Sequence, residues 1–263
     1  MHLSPLAKSV LATSAALALL FLYAPLAVVV TNSFSPSVTM TWPPSGFTFE
    51  WWIRAFASEG AQQALVTSFL VALCATAIAL VLGGLLSMAL YKYEFFGKQA
   101  LNLFVVLPIA LPGIVTGIAL NNLFRTFLDV PLGFATVVVA HATFCVVIVF
   151  NNVIARLKRQ GLKLEEASQD LGANSWRTFL WVTLPRLKSA LFAGGLLAFA
   201  LSFDEIIVTT FTAGNGVTTV PIFILNNMYR PNQAPIVAVI AVVVTLISVL
   251  PVLYANKLSR KED

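Results

Sequence analysis

The sequence predicts an all-α membrane protein that crosses the bilayer six times, and three observations support this fold class. Of the 263 residues, 59% are hydrophobic and only 10% are charged, whereas a soluble domain carries about 25% charged residues. Long stretches contain no charged side chain at all. The formal net charge is +5, and most of the basic residues fall on one side of the predicted spans. The composition excludes a soluble globular enzyme, a disordered chain and a disulfide scaffold.

The uncharged stretches define the spans, because a spanning helix needs roughly 20 mostly apolar residues. We predict six helices, over residues 9–30, 63–90, 101–124, 132–155, 189–212 and 235–256. The first helix resembles a signal peptide in position. Its apolar part is long for one and no clear small-residue cleavage site follows, so we expect it to remain as an anchor.

The distribution of basic residues predicts the topology. Counted along the connections, 13 of the 16 Lys and Arg residues fall on one side, and Arg54, Arg125 and Arg230 fall on the other. The positive-inside rule places the first side, with both termini, in the cytoplasm. Membrane topology therefore accounts for the basic character of the chain, and we expect no nucleic-acid partner.

The rest of the composition indicates one transmembrane domain over residues 1–263. There is no soluble second domain and no clear repeat. The two cysteines, Cys74 and Cys145, lie inside apolar spans without a neighbouring cysteine. We therefore expect neither a metal site nor redox chemistry.

The external connection, residues 31–62, is the longest on the predicted outer side. Residues 47–56 predict a short interfacial helix with Thr48 as its N-cap. Trp51 and Trp52 on this helix have two interpretations: they anchor it at headgroup level, or they line the mouth of a substrate pathway and contact a cation.

The largest connection on the predicted cytoplasmic side is residues 156–188. Residues 164–171 contain good helix formers, and Gly172 can end this first helix in the left-handed conformation. The connection therefore predicts a short helix followed by a tight turn.

A second short helix is predicted after the turn, over residues 176–184. Asn174 or Ser175 can cap it, and Pro185 marks the entry into the fifth span. Its aromatic residues, Trp176 among them, are too apolar for a free loop. They require a partner surface or the membrane interface.

A spaced pattern runs through this connection. It consists of Glu166-Ala167-Ser168, then Gly172 after three residues, and Val182-Thr183-Leu184-Pro185 after nine more. This pattern resembles the EAA motif, Glu-Ala-Ala-(three)-Gly-(nine)-Ile-x-Leu-Pro, of permease subunits in bacterial binding-protein-dependent ABC importers. Ser168 replaces the second Ala and Val182 replaces Ile, and the spacing agrees throughout.

The resemblance covers nearly the whole chain. Residues 31–34, 107–117 and 201–205 resemble the spermidine/putrescine-type branch, and residues 141–156 resemble a putrescine-type subgroup. It implies the type I ABC importer permease fold in a bacterial inner membrane. It also implies three kinds of partner: a second permease subunit, expected to be a different chain, two copies of a cytoplasmic ATPase, and a periplasmic or lipid-anchored substrate-binding protein.

The resemblance further implies that the EAA-like segment, residues 156–188, supplies a coupling helix to the ATPase. The coupling residues are then Glu166, Ala167, Ser168, Gly172, Trp176, Leu184 and Pro185. Glu166 pairs with a basic ATPase residue or serves its own helix. The chain lacks a Gly-(four residues)-Gly-Lys-Ser/Thr phosphate-binding loop. We therefore expect no cofactor in this chain, no enzymatic activity of its own, and ATP with magnesium on the ATPase.

Two acids, Asp204 and Glu205, interrupt the fifth apolar segment. A carboxylate at bilayer depth costs roughly 2.5–3.5 kcal/mol and is a functional-site hypothesis by default. Both acids, with the hydroxyl of Ser202, could form a cation site or a wall of the pathway. The alternatives are structural pairing with a partner subunit, or a helix break that places both acids near a water-filled cavity.

The third span contains helix-breaking residues, Pro108, Pro112, Gly113 and Gly117. They could free backbone carbonyls that line a pathway, or kink the helix so that it packs. His141 in the fourth span is more consistent with a hydrogen-bonded structural histidine than with a proton relay.

These observations favour a permease of an ABC importer that carries a small organic cation such as putrescine or spermidine. Asp204 and Glu205 would then compensate its ammonium groups. The same permease role for another small substrate, such as an omega-amino acid, stays open. A stand-alone secondary transporter with Asp204 or His141 as proton site is a third hypothesis, which the EAA-like spacing disfavours.

Overall fold

The computed structural model describes residues 4–39 and 41–259, with side chains up to residue 248. The described residues form helices and no strands, which confirms the all-α prediction. The α-helices are α1 (Pro5–Asn32), α2 (Glu50–Ala57), α3 (Glu59–Lys92), α4 (Lys98–Ala110), α5 (Gly113–Asn122), α6 (Phe134–Gln160), α7 (Lys163–Asp170), α8 (Ser175–Thr178), α9 (Leu184–Phe203), α10 (Ile207–Thr212), α11 (Val220–Asn227) and α12 (Ala234–Ser259). Two π-helical turns, Leu123–Phe127 and Phe179–Thr183, continue α5 and α8.

Four helices of the described chain are long and apolar enough to cross a membrane. They are Pro5–Asn32, Glu59–Lys92, Phe134–Gln160 and Ser175–Phe203, and they coincide with four of the six predicted spans. The last predicted span corresponds to α12, which is apolar over Ala234–Ser248. Among the described residues, four helices pass as spans, or five if the bent pair α4 and α5 forms one span, so the full count of six spans stays a prediction. The basic C-terminal residues Arg260 and Lys261 lie outside the described residues.

The third predicted span is broken. Helices α4 and α5 are bent by 107° at Leu111 and Pro112, and Gly113 begins the second half. Pro108 and Gly117 were predicted to share in this break, and that prediction is wrong. Pro108 lies inside α4, in its last turn, where it removes a single backbone hydrogen bond.

Gly117 serves the packing of α5. A Cβ atom added there would lie 2.7 Å from Cδ2 of Phe211. Only a glycine therefore lets α5 approach α10 this closely.

The fifth predicted span, residues 189–212, is also interrupted, contrary to the prediction of one continuous helix. Helix α9 ends at Phe203, and α10 begins only at Ile207. The intervening residues, Asp204 to Ile206, are not helical. The two membrane acids thus lie at a helix break, which was one of the alternatives that the sequence left open.

The described chain divides into two compact units, Met1–Gln62 with Ile224–Leu250, and Gln63–Phe223 with Pro251–Asp263. In the second unit, α6 is the central helix, and its side chains Val137, Val149 and Val153 are fully buried. Helices α3 and α9 both pack against α6 through glycines. A Cβ atom at Gly83 would lie 2.8 Å from the Val146 carbonyl oxygen, and one at Gly194 would lie 3.2 Å from Cα of Val149.

Candidate functional site

The two acids at the helix break, Asp204 to Ile206, lie in different environments. The amide of Asp204 donates to the carbonyl of Ala200 (3.2 Å), which closes the last turn of α9. Beyond it the chain leaves the helix, and the carboxylate of Asp204 is exposed. Glu205 is only half-exposed. The break therefore presents one carboxylate outward and holds the other within the fold.

Glu205 stabilises the short helix that follows the break. Its Oε1 accepts a hydrogen bond from the amide of Val208 (2.8 Å), in the first turn of α10. This N–H has no partner within the helix, and a carboxylate at a helix N-terminus also interacts favourably with the helix dipole. The geometry thus gives Glu205 a structural contact, and a pathway role for either acid stays a prediction.

His141 of α6 links both sides of the break. Its ring is fully buried, with Nδ1 2.7 Å from Oγ of Ser202 and Nε2 2.8 Å from Oγ1 of Thr209. The Thr209 hydroxyl donates to the carbonyl of Glu205 (2.8 Å), so it accepts from His141. In the neutral ring, Nε2 therefore donates to Thr209, and Nδ1 accepts from Ser202.

Through these hydrogen bonds, the side chain of Ser202 lies in the interior of the fold, against His141. Ser202 is buried and engaged with His141, whereas the sequence analysis grouped it with the acids of the pathway. Sequence reasoning did not identify Thr209. Its separation from His141 by 68 residues gives no local pattern that could have indicated the contact.

Two further side chains hold α10 in place. Nδ2 of Asn121, at the end of α5, donates to the carbonyl of Phe211 (2.5 Å). The hydroxyl of Thr136, in the first turn of α6, lies 2.8 Å from the carbonyl oxygens of both Thr212 and Gly133 and can donate its one proton to either. Helix α10 is thus fixed by polar contacts from two helices as well as by His141, and each bond satisfies a buried or half-buried polar group.

The external connection contains the predicted short helix as α2, which begins at Glu50 with Phe49 as its N-cap residue. The sequence predicted Thr48 as this N-cap, one residue before the observed position. The hydroxyl of Thr48 accepts from the amide of Glu50 (3.2 Å), the first residue of the helix, whereas a capping side chain bonds to the second or third residue. The guanidinium of Arg54 forms an ion pair with Glu50 (2.5 Å) and lies 5.0 Å from the ring centroid of Trp51.

The two tryptophans of α2 are turned inward. Trp51 is buried, and Trp52 is half-buried and stacks on Phe34 with centroids 5.2 Å apart. The exposed apolar side chains of α2 are Ile53 and Phe56. Direct contact of Trp51 or Trp52 with headgroups or substrate stays a prediction, and their observed contacts are structural.

The EAA-like segment folds as a short helix, a turn and a second helix. Helix α7 ends at Asp170, and Gly172 has φ of +86°, the left-handed conformation that its sequence position predicts. Oδ1 of Asn174 accepts from the amide of Arg177 (2.8 Å), so Asn174 is the N-cap of the second helix. The open choice between Asn174 and Ser175 is resolved in favour of Asn174.

The second helix is longer than predicted. It continues through a π-helical turn, Phe179–Thr183, into α9, and the whole apolar helix runs from Ser175 to Phe203. Leu184 and Pro185 directly follow this π-helical turn and form the start of α9. The EAA-like segment and the helix break therefore lie at opposite ends of one continuous helix.

Buried polar contacts fasten α7 to this long helix. Oε1 of Glu165 accepts from the hydroxyl of Thr183 (2.9 Å), and both side chains are buried. The hydroxyls of Ser168 and Thr178 lie 3.2 Å apart. Sequence reasoning identified Ser168 and missed Glu165, because the EAA pattern begins one residue later.

The outward face of the segment is largely apolar. Trp176, Trp181 and Leu171 are 66%, 80% and 90% exposed. Glu166 and Ala167 lie on the exposed side of α7. These exposed apolar side chains suit a partner surface or the membrane interface.

Comparisons of the sequence with known proteins identify the family. Residues 79–261 match the binding-protein-dependent transport system inner membrane component family. The chain is 31% identical to the spermidine/putrescine transport system permease protein PotC of Haemophilus influenzae over 92% of this chain and 93% of that protein. It is also 31% identical to the putrescine transport system permease protein PotI of Escherichia coli, over 79% of this chain and 76% of that protein.

The fold agrees with a solved structure of an ABC transporter. A subunit of a bacterial alginate ABC transporter, crystallised with an alginate pentasaccharide-bound periplasmic protein, superposes with a TM-score of 0.75. It covers 97% of this chain and 94% of that subunit at 14% identity, which indicates a common fold. This chain therefore belongs to the family of binding-protein-dependent transport system inner membrane components, and it is a non-enzymatic permease subunit of an ABC importer complex.

Proposed function

We propose that this permease moves a polyamine, of the putrescine or spermidine type, across the bacterial inner membrane by alternating access. The observation that carries the proposal is the exposed carboxylate of Asp204 at the break of an otherwise apolar segment. Carboxylates facing a pathway at membrane depth compensate cations. The names of the two relatives, which refer to spermidine and putrescine, support the same substrate class.

The remaining predicted pathway residues have supporting roles in this proposal. Glu205 and Ser202 shape the break from within, through their bonds to Val208 and His141. Trp51 and Trp52 stabilise the external connection by packing. Asp204 is then the one acid of the break that meets the ammonium group of the substrate.

Energy enters through the EAA-like segment in this proposal. The exposed face with Trp176, Trp181 and Glu166 docks into a cleft of a cytoplasmic ATPase, which binds ATP and magnesium. The Glu165–Thr183 hydrogen bond fastens α7 to the helix that ends at the break. Movement of the ATPase is thereby transmitted along this helix to Asp204, and the accessibility of the pathway switches between the two sides of the membrane.

The complex would contain a second and different permease, two ATPase copies and an external binding protein that delivers the substrate. Both termini of this chain would face the cytoplasm, because that orientation places 13 of its 16 basic residues inside. Membrane lipid surrounds the exposed apolar side chains of the spanning helices.

The experiment is uptake of radiolabelled putrescine by the complex that co-purifies with the tagged chain, reconstituted in vesicles with its binding protein. We expect uptake that requires ATP and that excess spermidine inhibits. A matched arm replaces spermidine by an uncharged diol of the same length, which should not compete.

Two results would redirect or overturn the proposal. Competition by an omega-amino acid as strong as that by spermidine, with no inhibition by other diamines, would keep the importer and replace its substrate. Uptake by the chain alone, without an ATPase, would contradict the coupling mechanism.

A further inference from the structure

A cavity of about 780 Å³ lies in the second unit, and Lys158 is its one lining residue from the EAA-like segment. It is a half-open cavity lined by the end of α3, the connection to α4, the first turn of α4 and the last turns of α6. Its polar lining residues are Tyr91, Glu94, Lys98, Gln99, Asn102 and Lys158. The mechanism proposed above uses none of them.

The charge of the cavity favours an anion. Its ionisable carboxylate, Glu94, is already paired with the ammonium of Lys98 (2.6 Å). The ammonium of Lys158 remains as an uncompensated positive charge of the lining, and Lys98 uses one of its three N–H donors on Glu94. The lining thus has excess positive charge and several free hydrogen-bond donors.

The first turn of α4 adds backbone donors. Gly97 precedes this helix with φ of +87° and has no side chain to cap it. The amide of Lys98 donates to the carbonyl of Phe95 (3.3 Å), and that of Leu101 donates to the carbonyl of Gly97 (2.9 Å). The amides of Gln99 and Ala100 are the uncapped donors of the first turn of this 13-residue helix, and the positive end of the helix dipole adds to the charge of the lysines.

The rim of the cavity is apolar, which distinguishes an amphiphile from a soluble anion. Phe96 is fully exposed, and Phe95 and Tyr93 are also exposed. The adjoining surface of α4 exposes Leu103 and Phe104. Aromatic residues at helix ends are typical of the membrane interface, and an exposed apolar helix surface of a spanning segment suits acyl chains.

We infer that this cavity binds the phosphate headgroup of an anionic phospholipid, with Lys98 and Lys158 as its cationic ligands. Basic pockets between spanning helices on the cytoplasmic side bind such headgroups, and these helix ends carry basic residues of the predicted cytoplasmic side. The inference needs only the membership of the permease family and does not depend on the transported substrate.

The test counts phospholipids retained by the purified importer complex, using native mass spectrometry after exchange into phosphatidylglycerol or phosphatidylcholine. The variant is Lys98→Gln with Lys158→Gln. Its matched control, Lys8→Gln with Lys188→Gln, removes two exposed lysines elsewhere. Each lysine near an anionic headgroup contributes about fivefold in affinity, so the variant should bind phosphatidylglycerol about 30-fold more weakly than the wild type and the control.

The same preparation tests whether the variants fold and whether the bound phosphate belongs to a lipid headgroup or to a soluble anion. Glu94 is 88% exposed, so loss of its pairing with Lys98 should leave the thermal midpoint unchanged. The conservative variant Lys98→Arg with Lys158→Arg should retain the lipid. Equal retention in the Gln variant, or equal retention of phosphatidylcholine, would overturn the inference. Binding of millimolar inorganic phosphate without any retention of phosphatidylglycerol would assign the site to a soluble phosphate instead and refute the lipid.

Discussion

Two adjacent acidic pairs, Glu165-Glu166 and Asp204-Glu205, lie in the same compact unit and in different surroundings. In the EAA-like segment, Glu165 is buried against Thr183 and Glu166 is exposed. At the helix break, Glu205 is tied to the start of α10 and Asp204 is exposed. In each pair, one carboxylate holds the local fold and its neighbour faces outward.

The difference between the pairs lies in what the inward acid stabilises. Glu205 accepts from the backbone amide of Val208, only three residues away, so it stabilises the start of the helix that follows the break. Glu165 bonds to a side chain 18 residues away and joins two separate helices. The inward acids thus stabilise the local fold, and in the proposed mechanism the outward acids contact partner or substrate.

The largest effect is expected on the outward face of the EAA-like segment. Replacement of two exposed tryptophans, Trp176→Ser with Trp181→Ser, removes most of the aromatic contact surface without opening the core. Aromatic anchors of this kind dominate binding energy at interfaces. We expect loss of ATPase co-purification and of ATP-driven uptake.

A matched control replaces exposed aromatic residues elsewhere, Phe47→Ser with Phe127→Ser, and should retain the ATPase. Normal co-purification of the ATPase with the Trp176/Trp181 variant would show that this face is not the docking surface.

The next effect concerns the link behind the break. His141→Ala leaves the hydroxyls of Ser202 and Thr209 without their buried partner. Each loss costs about 1–2 kcal/mol, so the complex should be destabilised by about 2–4 kcal/mol and unfold at lower temperature. The measurement is the thermal midpoint in detergent. His141→Gln, which restores one bond, should recover part of the loss, and an unchanged midpoint for His141→Ala would argue against the link.

A smaller effect separates the members of the EAA-like pair. Glu165→Ala removes the partner of the Thr183 hydroxyl and should lower stability by about 1–2 kcal/mol. Glu166→Ala should leave the thermal midpoint unchanged and reduce ATP-driven uptake. If Glu166→Ala lowered the midpoint as much as Glu165→Ala does, the division of roles within this pair would be wrong.

The smallest effect is expected at the cap of α10. Glu205→Ala removes one capping bond to the Val208 amide, which is worth about 1 kcal/mol. We expect a slightly lower thermal midpoint with uptake largely retained. Glu205→Gln keeps an acceptor oxygen and serves as the control. Complete loss of uptake in Glu205→Gln would place this acid in the pathway after all.

The sequence predicted the elements that depend on local patterns. Apolar stretches predicted the long helices, Gly172 and Asn174 predicted the turn and cap of the EAA-like segment, and the EAA-like spacing predicted the family. The helices, the turn and the cap depend on residues close together in the chain, so hydropathy and cap chemistry suffice to predict them, whereas the family was predicted from the resemblance to a known motif.

The missed features depend on contacts between distant residues. His141 meets Ser202 and Thr209 across more than 60 positions, and no local pattern encodes that contact. The end of α9 at Phe203 likewise depends on how Glu205 and His141 hold the following residues. For the same reason, the sequence grouped Ser202 with the acids, although the fold turns it away from them.

The most direct test of the account compares Asp204→Asn with Asp129→Asn in ATP-driven putrescine uptake by the reconstituted complex. Both aspartates are exposed, and Asn is isosteric with Asp, so both variants should assemble normally. Loss of the charge that meets the ammonium group should reduce uptake by about tenfold or more in Asp204→Asn, while Asp129→Asn transports like the wild type. Wild-type uptake by Asp204→Asn would contradict the account.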